Sequence, residues 1–148
     1  MTITDSEIQR VAPDVAPEAQ KMEGFTNPFI SLQSLESLCQ GDETLEECLR
    51  DTVMLSLRYA ETVCRFKEIV LRGQQSNEDG ERKEIEQVRS TVHDSTIASI
   101  NILSRRLKLA GKDNTWISKL KAGKRASYGK FAILLAFETV LRKNEHGK

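Results

Sequence analysis

The residues best suited to chemistry are His93 and its charged neighbours. Steps of three and four residues place Glu86, Arg89 and His93 on one stripe of a helix, bordering its apolar face. Imidazole titrates near neutral pH, and a guanidinium beside it favours an anion. This stripe predicts a small-ligand or acid–base site, although a polar ladder along the helix explains the same three residues without a ligand.

The cysteines and histidines do not have the spacing of a metal site. Cys39, Cys48 and Cys64 form no Cys-x-x-Cys pair, and the chain has only 2 histidines. His93 and Asp94 are adjacent, as metal ligands are in some hydrolases, but that chemistry needs further ligands and the core helices offer no second histidine. We therefore expect no metal ion and no cofactor, and we expect the cysteines to be buried, reduced thiols.

Two common catalytic motifs are also incomplete. Gly123-Lys124 lacks the earlier glycine and the leading strand of a phosphate-binding loop. The chain has no Gly-x-Ser-x-Gly elbow, and nothing favours Cys64 and His93 as a nucleophile and its base. Enzymatic activity is therefore uncertain from the sequence, which favours a non-enzymatic protein.

Residues 105–130 combine many cations with two aromatic side chains, a composition typical of surfaces that follow a nucleic-acid backbone and stack its bases. The candidate nucleic-acid-binding residues are Arg105, Arg106, Lys108, Trp116, Lys119, Lys121, Lys124, Arg125 and Tyr128, with Lys130 beside them. The same cations also suit the negative end of a helix dipole and the solubility of an apolar half of the chain. Both interpretations stay open.

Charge is unevenly distributed along the chain, although its formal net charge is zero. Residues 1–43 hold 2 basic and 8 acidic side chains, whereas residues 105–148 hold 12 basic and 3 acidic ones. Such asymmetry bears on partners and self-association rather than on fold. The acidic N-terminal segment is itself a candidate partner for the C-terminal cations.

The N-terminal segment, residues 1–26, contains Pro13 and Pro17, and we find no helical periodicity in it. Its low hydrophobicity and excess negative charge predict a disordered acidic tail. It has no apolar run after a basic start, so we expect no secretory signal. Asn27-Pro28 then predicts the start of a first short helix, which continues to Gly41.

Two long amphipathic helices follow in the sequence. A capping box at Thr44–Glu47 predicts the start of the first, which continues to about Arg72. Residues 73–80 form a short polar loop, so the next helix, from about 81 to 110, returns antiparallel to the first. Gly111 stands just beyond its predicted end. The pattern predicts a long αα-hairpin.

The last helix, residues 127–143, is apolar around nearly its whole circumference. Such a helix is either the centre of a bundle or has a subunit interface on one face. We expect an all-α helical bundle in one domain, residues 27–143, built on the hairpin and followed by a C-terminal tail, residues 144–148. Because a small bundle covers such a helix poorly, we also expect a homodimer through this helix or the hairpin.

Three classes of function remain open from the sequence. The leading one is a non-enzymatic interaction or oligomerisation module, with a protein partner or a second copy of the chain. The second is nucleic-acid or polyanion binding through residues 105–130, and the third is small-ligand binding or hydrolysis at Arg89 and His93. No apolar stretch reaches the roughly 20 residues of a membrane span, so we expect a cytoplasmic protein with no membrane partner.

Overall fold

The computed structural model describes residues 3–73 and 79–146. Within these ranges the chain forms seven α-helices and no strand. They are α1 Asp5–Val11, α2 Val15–Gln20, α3 Leu32–Cys39, α4 Glu43–Gly73, α5 Asp79–Leu109, α6 Trp116–Ala122 and α7 Lys124–His146. The prediction of an all-α bundle is confirmed. Residues 74–78 of the predicted polar loop lie outside the described ranges.

Helices α4 and α5 form the predicted antiparallel hairpin, and small hydroxyl side chains line their contact. The hydroxyl oxygens of Thr52 and Ser99 lie 2.7 Å apart and share a hydrogen bond between the two helices. Thr52, Ser56 and Thr96 also donate to the carbonyl four residues earlier in their own helix. Because every one of these buried hydroxyls has a partner, polar residues fit in this contact without an unsatisfied group.

The N-caps differ from those that the sequence pattern predicted. Asp42, not Thr44, caps α4, because its Oδ1 accepts from the backbone amides of Thr44 and Leu45 at 3.0 and 3.2 Å. Asn27 does not cap a helix either; its side chain accepts from the amide of Phe29 at 2.9 Å in a local turn. The helix starts later, at Leu32. Its cap is the Ser31 hydroxyl.

The N-terminal segment differs most from expectation, because residues 5–11 and 15–20 are helical rather than disordered. Its buried apolar residues are Ile3, Ile8, Ala12, Val15 and Ala19. The last four are spaced by four, three and four residues, so they share one side of the segment and pack into the common core. Pro17 is tolerated because it occupies the first turn of α2, where a backbone amide needs no partner within the helix.

Helix α7 is the centre of the bundle, the first of the two arrangements that its apolar circumference predicted. Helices α2, α3, α4 and α6 pack around it, and Phe131 and Leu135 are fully buried. The chain thus covers most of α7 with its own helices, although Ile133 and Phe137 remain partly exposed. The helix also extends beyond the predicted 127–143, to His146. No helix in the described ranges is both long and apolar enough to cross a membrane.

Gly111 ends α5 as the sequence predicted. Its φ is 73°, a left-handed value that glycine adopts without the steric cost of a Cβ. The Gly111 amide donates to the carbonyl of Lys108, and the Lys112 amide donates to that of Leu107. These two bonds form a Schellman motif, which satisfies carbonyls at the end of the helix and turns the chain towards α6.

Docking of α1 is tested by Ile8→Ala. The Ile8 side chain is only 9% exposed, so its truncation should lower the free energy of unfolding by about 2 kcal/mol or more. The exposed neighbour Gln9→Ala is the matched control and should change it by less than about 0.5 kcal/mol. Chemical denaturation measures both variants. Equal stability of the two would mean that the N-terminal segment does not pack on the bundle.

Candidate functional site

The centre of the candidate site is His93, in the middle of α5. Its ring lies against the ring of Tyr59 on α4, with centroids 5.0 Å apart and planes inclined by 33°. On its other side, Nη2 of Arg125 at the start of α7 lies 3.3 Å from the imidazole Nδ1. The same Nη2 donates to Oδ1 of Asp94 at 2.5 Å. Three helices therefore meet at this histidine.

Gly129 lets the Tyr59 and His93 side chains approach α7 closely. A Cβ on Gly129 would lie 3.1 Å from the Tyr59 hydroxyl oxygen and 3.3 Å from Nε2 of His93, both tighter than ordinary contacts. A glycine inside a helix costs roughly 0.5–1 kcal/mol relative to alanine. Glycine is nevertheless used at this position because the two rings need the space that a Cβ would occupy.

The hydrogen bond to Arg125 determines which imidazole nitrogen carries the proton. A guanidinium only donates, so Nδ1 of His93 accepts and Nε2 of the neutral ring carries the hydrogen. That Nε2 is buried and has no hydrogen-bond partner among the described residues, a condition that costs about 1–3 kcal/mol. Burial first, and then the positive charge of Arg125, lower the pKa of His93, so the neutral ring is favoured. The imidazole is therefore unsuited to the role of a cationic anion ligand.

A cleft of about 560 Å³ opens beside this cluster and runs along α7. Its polar end is formed by Tyr59, His93, Arg125 and Lys130, and its apolar wall by Ile133, Leu134 and Phe137, with Met22 from the segment after α2. Arg125 and Lys130 are exposed, whereas Leu134 is buried. Charge thus stands at one end of the cleft and apolar surface at the other.

Of the three residues predicted as a ligand site, only His93 lines this cleft. The guanidinium of Arg89 lies over the ring of Phe66 instead, 4.6 Å from its centroid. Glu86 is half-buried and lies nearer the start of α5 than His93 does. Arg125 supplies the guanidinium next to the imidazole. Sequence reasoning missed Tyr59 and Gly129 because they lie on other helices than His93. The one local signal of this site was a glycine inside the last helix, where glycine is unfavourable.

The aromatic residues predicted to stack nucleic-acid bases are buried. Trp116 is stacked on Phe131, with ring centroids 5.5 Å apart, and the Tyr128 hydroxyl donates to Oδ1 of Asn101 at 3.0 Å. The predicted cations are all exposed: Arg105, Arg106, Lys108, Lys119, Lys121, Lys124, Arg125 and Lys130. The basic surface therefore has charge but no stacking platform from these two residues.

The outer face of the hairpin carries a second, longer depression. This hairpin groove, of about 1010 Å³, lies between α4 and α5 and is lined in part by Asp51, Met54, Leu55, Arg58, Ala98 and Ile102. Ile102 is 43% exposed, and Met54 and Leu55 are half-buried. None of the helices within the described ranges covers these apolar side chains completely.

The cysteines are free thiols without a metal or nucleophile arrangement around them. Burial raises the pKa of Cys39 to about 11 and also raises the pKa of Cys64, so both remain protonated at neutral pH. Cys48 Sγ accepts from Nη1 of Arg106 at 2.9 Å. In the part of the chain that the structure describes, no three His, Cys, Asp or Glu side chains are grouped as metal ligands.

No protein-family model, no curated protein and no solved structure matches this chain. Function has to be inferred from its own side chains and surfaces. The cleft beside His93 and the hairpin groove are two of several depressions on the described surface, and both have the size and mixed polarity of binding sites.

Stability should depend on pH through His93. Its pKa is below the value of 6.5 for an unperturbed imidazole, so the unfolded chain binds more protons as the pH falls through that value. The stability that His93 contributes through this lowered pKa is fully present above pH 6.5, and it is lost as the pH falls towards the pKa of His93 in the folded chain. Burial lowers the pKa of His93 most, and the charges of Arg125 and Arg89 lower it further, whereas the hydrogen bond with Arg125 and the carboxylate of Asp94 raise it.

The measurement is the free energy of unfolding from about pH 7.5 to 5.5 for the native chain and for His93→Gln. The native chain should lose stability over this range, and the variant should lose clearly less. Both proteins retain His146, whose titration therefore cancels in the comparison. Parallel pH profiles would show that His93 is not buried as described.

Trp116 should act in stability rather than in nucleic-acid binding. Truncation to alanine removes its stacking on Phe131 and should cost about 3–5 kcal/mol. Lys119→Ala, at an exposed position of the same helix, should cost less than about 0.5 kcal/mol. Thermal and chemical denaturation measure the difference. A stable Trp116→Ala protein that loses oligonucleotide affinity would instead restore the stacking hypothesis.

Proposed function

We propose that the protein is a helical self-association module, in which the hairpin groove of one copy packs against the same groove of a second copy. The observation that carries the proposal is the groove itself, with apolar Met54, Leu55 and Ile102 incompletely covered. Burial of such side chains drives association, since each is worth roughly 1.5–3 kcal/mol when fully removed from water.

The groove has the length that a packed helix needs. Its lining on α4 extends from Thr44 to Arg58, which at 1.5 Å per residue corresponds to about 21 Å, or about four helical turns. On α5, the small residues Ser95, Ala98 and Ser99 line it at helical spacing. Small side chains at such positions allow another helix to approach closely, as in ridges-into-grooves packing.

The charges along α4 favour a second copy over an unrelated partner. Asp51 and Arg58 stand two turns apart on the lining of the groove, and both are exposed. In a two-fold arrangement with antiparallel α4 helices, Asp51 of one copy faces Arg58 of the other, and the pair occurs twice. An isologous interface of this kind pairs the opposite charges of the two copies twice.

The other classes of function have less support. Burial of Trp116 and Tyr128 removes the stacking term from nucleic-acid binding, which leaves nonspecific attraction by exposed cations. Burial raises the pKa of Cys39 and of Cys64, so these two thiols stay protonated at neutral pH and are poor nucleophiles. Three free cysteines fit a reducing compartment such as the cytoplasm, which we propose as the location.

Sedimentation or light scattering at micromolar concentration should give twice the chain mass of 16.7 kDa. Ile102→Asp places a charge in the apolar lining of the groove and should weaken dimerisation by about a hundredfold or more. The matched control is Leu109→Asp, on the same helix, 81% exposed and outside the groove, which should leave the dimer intact. A native chain that stays monomeric over this range would refute the proposal.

Charge reversal identifies the geometry of the interface. Asp51→Arg alone and Arg58→Asp alone each oppose like charges in the two-fold arrangement, and each should weaken self-association. A mixture of the two variants should form a heterodimer, because each introduced charge then faces an opposite charge on the other copy. Dimerisation of either single variant as tight as that of the native chain would exclude this pairing.

A further inference from the structure

The cleft beside His93 is a second binding surface, separate from the hairpin groove. Along α7 its lining residues follow helical spacing, from Arg125 through Lys130 and Ile133 to Phe137. The distance between the first and last is about 18 Å along the axis at 1.5 Å per residue. Cations occupy the N-terminal end of this stripe, and apolar side chains occupy the rest.

The polar end of the cleft carries an excess of one positive charge. Arg125 and Lys130 contribute two positive charges, and Asp94, which pairs with Arg125, contributes one negative charge. His93 is neutral at neutral pH, because burial lowers its pKa. An excess of one positive charge matches a monoanion better than a dianion such as a phosphate monoester.

Arg125 contacts two side chains of α5 and retains donors for a ligand. Its Nη2 lies against Nδ1 of His93 and Oδ1 of Asp94, but the Arg125 and Asp94 side chains are 63% and 59% exposed, so this ion pair is weak. A guanidinium has five N–H donors, and a carboxylate accepts from such a group through paired, charge-assisted bonds. His93 lines the polar end of the cleft and contacts Arg125 through its Nδ1.

We infer that the cleft binds an aliphatic monocarboxylate, with the carboxylate at Arg125 and Lys130 and the hydrocarbon chain along Ile133, Leu134 and Phe137. The polar end supplies the charge recognition, and the apolar wall removes the chain from water. The inference does not depend on self-association, since the hairpin groove and this cleft have different lining residues.

Isothermal titration with dodecanoate tests it, at concentrations at which the probe is monomeric. We expect saturable binding of one dodecanoate per chain. Dodecanol has the same tail and no charge, and acetate has the same head and no tail, so each should bind at least about tenfold more weakly. Equal affinity for dodecanol, multiple equivalent sites, or no binding of dodecanoate would overturn the inference.

Matched surface variants locate the head group. Ala126 is exposed and lines the polar end of the cleft, so Ala126→Glu adds a carboxylate that competes for the cations, and affinity should fall about tenfold. Ala126→Gln has nearly the same size without the charge and should bind dodecanoate as the native chain does. Equal affinities of the two variants would place the carboxylate elsewhere.

Asp94→Asn provides a change in the opposite direction. Asp94 neutralises Arg125 in the free protein, so its conversion to an amide should tighten dodecanoate binding several-fold. A merely structural role of Asp94 would leave this affinity unchanged, and that result would contradict the inference.

Vesicles of phosphatidylglycerol distinguish a free carboxylate from a lipid head group as the source of the anion. Capture of the protein by these vesicles without binding of dodecanoate would assign the cations to a membrane surface and would overturn the inference.

Discussion

Helix α7 has apolar side chains around most of its circumference, and its burial determines where the other helices lie. Phe131, Leu135 and Val140 are almost completely inaccessible because α2, α3, α4 and α6 surround them. Polar contacts then fix the arrangement: Glu138 on α7 accepts from the backbone amide of Leu32 at 2.6 Å, and Arg142 pairs with Glu36 on the same short helix. A helix this apolar requires several neighbours to cover it, and α2 of the N-terminal segment is one of them.

The two candidate binding surfaces are the places where this coverage is incomplete. Near the start of α7, Gly129 has no side chain, the rings of Tyr59 and His93 come close, and a cleft opens beside them. On the hairpin, the groove between α4 and α5 is bordered by Val11 of α1 and leaves Met54 and Ile102 incompletely covered by the described helices. Both sites thus follow from the same limit, namely that one small chain cannot cover all sides of two 31-residue helices.

Sequence alone predicted the elements whose signals are local and failed where distant residues decide. The 3.6-residue pattern predicted the hairpin, and Gly111 marked the end of α5, because periodicity and a left-handed glycine are properties of a few consecutive residues. The same patterns assigned Pro13 and Pro17 to a disordered tail, although Ile8, Ala12, Val15 and Ala19 have helical spacing. Their burial depends on α4 and α7, which no local pattern reveals. The imidazole of His93 marked it as a candidate in the sequence, and Arg89 on the same helix was predicted as the guanidinium beside it. In the structure that guanidinium belongs to Arg125, 32 residues away.

The hydrogen bond between Leu32 and Glu138 joins residues that are 106 positions apart, and the ribosome makes these residues at very different times. Helices α2 and α3 emerge early, yet part of the surface on which they dock belongs to α7, which is synthesised after every helix that it contacts. At a synthesis rate of about 5–20 residues per second, those early helices spend several seconds without that part of their docking surface. During that interval the nascent chain exposes apolar residues such as Val15 and Leu35. The fold is therefore completed only after α7 has left the ribosome, and until then the apolar segments of the growing chain make it prone to aggregation.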